Sequence, residues 1–115
     1  MRVSFEGMGE KAMTFLNSKA SPAVSGKTVR VSASDTVAAC ADGERFAGFC
    51  IDADSELATV KAGGFVTAAY TGTAPTVGYA NLVSDAAGGV KLSATGGEYL
   101  IVEVSTAAKT VGFIM

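Results

Sequence analysis

Short runs of alternating apolar and polar residues, cut roughly every eight to twelve positions by a turn-forming cluster, fill the chain from residue 28 onward. That rhythm confines it to small antiparallel sheets, because none of the runs is long enough for a packed helix. The clearest run is 28–33, where Val29, Val31 and Ala33 share one face and Thr28, Arg30 and Ser32 the other. Further strands are expected at 36–40, 46–51, 57–62, 65–70, 78–84, 90–93, 99–105 and 110–114. Between them stand Ser34-Asp35, Asp42-Gly43, an acidic stretch at 52–56, Gly63-Gly64, the loop 71–77, the turn 85–89, Thr95-Gly96-Gly97 and the turn 106–109. The pattern predicts an all-β fold, a small β-barrel or β-sandwich of short antiparallel strands.

Two hairpins carry a register. A three-residue loop Ala62-Gly63-Gly64 would oppose Val60 to Val66 and Ala58 to Ala68, with Gly64 in the left-handed region; a two-residue loop would mix the faces. A four-residue loop at 106–109 would oppose Val104 to Val111, Val102 to Phe113 and Leu100 to Met115.

The first 25 residues lack this alternation. Met8, Ala12, Phe15 and Leu16 stand at helical spacing, but Gly7 and Gly9 weaken any helix. The segment reads as an irregular N-terminal arm, 1–25, ahead of a β-domain, 26–115; an ordered strand packed on its own domain is the competing reading. As an arm it would anchor in a partner through Phe5, Met8, Met13, Phe15 and Leu16.

The residues supply little chemistry. With no histidine, neither a Ser-His nor a Cys-His pair can be built, and Cys40 and Cys50 have no CxxC partner, so no catalytic site, cofactor or metal is expected. If Asp42-Gly43 is a two-residue turn, Cys40 and Cys50 lie too far apart to pair, and free thiols are expected. Ser25-Gly26-Lys27-Thr28 imitates the end of a phosphate-binding loop, but Ser21 stands where its first glycine is needed and Thr28 opens a strand. Asp52, Asp54 and Glu56 lack the glycine and distal glutamate of a calcium loop and read as a solvated turn, as do Asp42 and Glu44. Net charge is −2 with no basic stripe, and no apolar run reaches signal-peptide or membrane-spanning length; nucleic acid and membrane are therefore not expected partners, and synthesis is expected in a cytoplasm. Only 17% of the residues are charged, so the surface is poorly defended against association and suits a protein covered by partners.

The progression Thr36-Val-Ala-Ala-Cys-Ala, Phe46-Ala-Gly-Phe, Ala62-Gly-Gly-Phe-Val, Gly78-Tyr-Ala-Asn-Leu, Asp85-Ala-Ala-Gly-Gly-Val-Lys and Tyr99-Leu-Ile-Val-Glu-Val with Val111-Gly-Phe resembles the head decoration, or capsid cement, proteins of tailed bacteriophages. The resemblance spans 26–115 and implies a homo-oligomeric virion protein. Such a protein, made in the host bacterial cytoplasm, coats the outer capsid surface and braces the major capsid protein. The alternative is a carbohydrate-binding or adhesin-like β-module of a head fibre or tail, with Tyr70, Tyr79 and Tyr99 grouped on one face.

Overall fold

The computed structural model describes residues 11–115 as ten strands, with no helix among them. They are β1 (Lys11–Asn17), β2 (Thr28–Ala33), β3 (Thr36–Ala39), β4 (Gly48–Ala53), β5 (Leu57–Gly63), β6 (Phe65–Ala69), β7 (Gly78–Ser84), β8 (Val90–Leu92), β9 (Gly97–Ser105) and β10 (Thr110–Ile114). The protein is all-β as the alternation predicts; β2, β7 and β10 keep their expected bounds, β4 shifts by two residues at both ends and the other expected strands shift by one or two residues at one end.

Strands β1 to β5 close a barrel in the order β1-β3-β2-β4-β5. Five strands cannot alternate direction all the way round a ring, so one pair must run parallel. That pair is β1 with β3, through Leu16↔Thr36 and Asn17↔Val37. The second sheet runs β6-β10-β9-β7-β8, and its two edges meet at a parallel bridge, Tyr70↔Val90.

The second unit repeats the strand order of the first, and the pairings of β1 with β3, β1 with β5 and β2 with β3 recur at one fixed step, whereas those of β4 recur in β9 with a shifted register. Moving both partners 53 positions along carries Asn17↔Val37 (17 to 70, 37 to 90) onto Tyr70↔Val90. The same step carries Phe15↔Ala58 onto Ala68↔Val111 and Val31↔Val37 onto Ser84↔Val90. Pro22 and Pro75, Val24 and Val77, and Val37 and Val90 are identical at that spacing.

Three expectations need correction. Residues 11–17 belong to no irregular arm: they form β1, paired with β5 from Lys11↔Gly63 to Leu16↔Leu57, because Phe15 has a barrel interior to enter. The Gly63-Gly64 hairpin does not form. Gly64 does take a positive φ of 94°, but it turns the chain from one unit into the next, so β5 pairs with β1 and β4 while β6 pairs with β10. In the last hairpin Val104↔Val111 holds, but a bulge then sets Phe113 opposite Ile101 and Ile114 opposite Leu100. The bulge leaves Val102 as the extra residue and brings both Ile101 and Phe113 fully into the core.

Two cores result. Inside the barrel, Ala23, Val29, Val37, Cys50, Ala58 and Val60 pack together with Phe15 against them. The second core gathers Val66, Tyr70, Leu82, Ile101, Val111 and Phe113 around two rings from the first unit, Phe46 and Phe49. Phe46 stacks on Tyr99 with centroids 5.2 Å apart and planes 10° apart, and Phe49 meets Phe113 at 6.1 Å. The units are thus welded by a shared aromatic cluster, the kind of contact that adds to simple area burial.

Candidate interaction surface

The buried side chains Asn17, Thr28, Ser84 and Asp85 hold loops or join the two units. Thr28 and Ser84 hydroxyls share a buried 2.7 Å hydrogen bond across the unit boundary. Asn17 donates from Nδ2 to the Asp54 carbonyl and accepts at Oδ1 from the Ala23 N–H, both at 2.8 Å. Asp85 accepts from the Ala87 and Gly89 N–H groups and from the Thr71 hydroxyl. In the acidic stretch, Asp54 accepts from the N–H groups of Glu56 and Leu57, and those bonds hold its carboxyl below the usual range. Asp42 reaches Lys91 at 2.8 Å and Glu44 accepts from the Ala41 N–H, which is turn chemistry joined to one inter-unit ion pair.

Both cysteines are free and belong to different cores. Burial, with Glu44 adding, pushes the Cys40 thiol up to about 11, and burial also raises Cys50. At pH 8 the Cys40 thiolate should be about a hundredfold scarcer than at an ordinary cysteine. We therefore expect iodoacetamide to label the native protein slowly and the urea-unfolded protein rapidly; equal rates would contradict the burial of Cys50 and the partial burial of Cys40. The same upward shift stabilises the fold below the ordinary thiol range and is lost as pH rises through about 11.

Several large apolar side chains are left scattered over the surface. Tyr79 is 73% exposed and Val77 68%, while Val24, Ile51 and Leu57 are about half exposed. Tyr70 is buried and Tyr99 lies in the aromatic cluster, so the three tyrosines do not share a face.

Comparison with known family models, curated proteins and solved structures finds no match.

Of the five anchors expected from the sequence, Phe5 and Met8 lie outside the described residues. Phe15 packs on the barrel core, whereas Met13 and Leu16 stand 52% and 51% exposed on the same strand. Leu16 lines an open groove of about 580 Å³ together with Ser32, Ala33 and Thr36 at the β2–β3 end, and Glu56 from the β4–β5 loop. Beside it Val31 is 55% exposed, although alternation places it with buried Val29. Period-two reading cannot see that β2 outruns its barrel after Val29: β4 pairs with β2 only at Thr28 and Val29.

Proposed function

We propose that this chain is a structural, non-enzymatic virion protein that decorates the outside of a bacteriophage capsid, binds the major capsid protein and associates with copies of itself. The observation that carries the proposal is a double β-body that leaves Met13, Leu16 and Val31 half exposed, with Leu16 lining an open groove. Buried Asn17 and Asp85 hold loops, and buried Thr28 and Ser84 bond to each other across the unit boundary. Apolar contacts of this kind contribute modestly one at a time, and repetition over a shell lattice multiplies them. The dispersed tyrosines give the adhesin reading no specific support.

The test is co-sedimentation of the purified protein with heads assembled without it by the phage that encodes it. Saturable binding to the outer surface is expected, and Met13→Asp with Leu16→Asp should weaken it by tenfold or more while leaving the fold intact. Failure of the wild-type protein to sediment with heads, or its location inside the shell, would sink the proposal.

A further inference from the structure

Asp42-Gly43 is the one place in the chain where an aspartate or asparagine precedes glycine. A link of this kind is open to attack by its own backbone. The glycine nitrogen can reach the aspartate Cγ, because residue 43 has no side chain to stand in the way. The N–Cγ bond forms and water leaves, made from the carboxyl hydroxyl and the amide hydrogen, which closes a five-membered succinimide. Water then re-enters. Opening at Cγ restores aspartate, whereas opening at the main-chain carbonyl of residue 42 leaves the chain running through Cγ, an isoaspartate with one extra backbone carbon.

Both reacting groups belong to the first unit, and both are held by the second. The Gly43 N–H donates to the Ser84 carbonyl at 2.8 Å, so attack must first break that bond. Asp42 Oδ1 lies 2.8 Å from Lys91 Nζ, which ties the carboxylate to β8. Water is at hand, for the Asp42 side chain is 54% exposed. What the closed molecule withholds is the geometry. The same turn also depends on its backbone length. The Glu44 N–H donates to the Ala41 carbonyl at 3.2 Å and the Ala41 N–H to Glu44 Oε1 at 2.6 Å, while the Ser84 N–H donates to the Glu44 carbonyl at 2.8 Å. An extra carbon between residues 42 and 43 widens the ring closed by the Ala41–Glu44 bond, so that Gly43 and Glu44 no longer both meet Ser84. Ser84 is fully buried, and its N–H and C=O would then be left unpaired.

We propose that Asp42-Gly43 is a self-modifying site that the second unit keeps closed: isoaspartate forms there when the two units part, and once formed it stops the turn from docking again on Ser84. Ring closure through an open form follows the population of that form. The chain thereby carries a one-way record of its own opening, with water the only reagent.

The experiment ages the full chain in warm, mildly acidic buffer, folded and in urea, and counts isoaspartate by enzymatic methylation with peptide mapping. Folded wild type should gain isoaspartate at residue 42 at least about tenfold more slowly than the unfolded chain. Lys91→Ala frees the carboxylate and should gain it at least about threefold faster than folded wild type, with a nearly unchanged unfolding midpoint. Asp42→Glu, whose longer side chain closes its ring far more slowly, should lose the signal. Urea below the unfolding transition should raise the isoaspartate rate and amide exchange at Gly43 in parallel, and the modified chain should exchange faster at Ser84. Equal rates in folded and unfolded chains overturn the proposal. So does an unchanged rate in Lys91→Ala, a rate indifferent to exchange at Gly43, or full protection of Ser84 in the modified chain. Should Lys91→Ala misfold, the urea series decides.

Discussion

Phe46→Ala should destabilise the protein by about 3–5 kcal/mol and should weaken both β-units together. Phe46 precedes β4 and belongs by sequence to the first unit, yet its ring is buried in the core of the second, against Tyr99, Phe49 and Phe113. Truncation removes a large transfer term and leaves a cavity walled by rings that cannot collapse without breaking their own contacts. The loss is a large share of the 5–15 kcal/mol that a domain of this size usually has. Urea unfolding followed by circular dichroism, with hydrogen exchange resolved by unit, gives the answer. One shifted transition with protection lost in both units is expected. Two separate transitions, with only the second unit affected, would contradict the weld.

Asp85→Ala should cost about 2–4 kcal/mol, and Asp85→Asn markedly less. The carboxylate is buried, and its Oδ1 accepts from two loop N–H groups at 2.8 Å each. Alanine would orphan both donors in a site that excludes water, whereas asparagine keeps an acceptor of the same shape. Asp85 also meets the Thr71 hydroxyl at 3.2 Å, beside the Tyr70↔Val90 bridge that joins the two edges of the second sheet. Exchange at residues 85–90 should therefore accelerate most in the alanine variant. A stability within about 0.5 kcal/mol of wild type would show that the loop is held by other means.

The turn chemistry that breaks the chain was legible because it is local. Asp54 collects the next N–H groups in its own turn, Gly43 and Gly88 take positive φ, and each strand runs between such points. The candidate surface was half legible. Met13 and Leu16 stood out as apolar residues without a β-partner in the pattern, but Val31 was hidden by its own alternation. Its exposure depends on where β4 stops accompanying β2, which is a fact about a different strand.

The repeat was the least visible feature. Most positions 53 apart differ, as Phe15 and Ala68 or Val60 and Phe113 do, because each core is filled to its own shape. Backbone pairing tolerates such exchanges as long as the inward face stays apolar. The amino-acid order alone settled which residues extend, which ones turn and which face of most strands is greasy, since these are decided within a few neighbours. Which strand lies beside which, the passage at Gly64 from one unit to the next and the capture of Phe46 by the other core were decided by tertiary packing. Those choices minimise exposed ring surface and unpaired backbone over the whole molecule, a condition that no short stretch of chain contains.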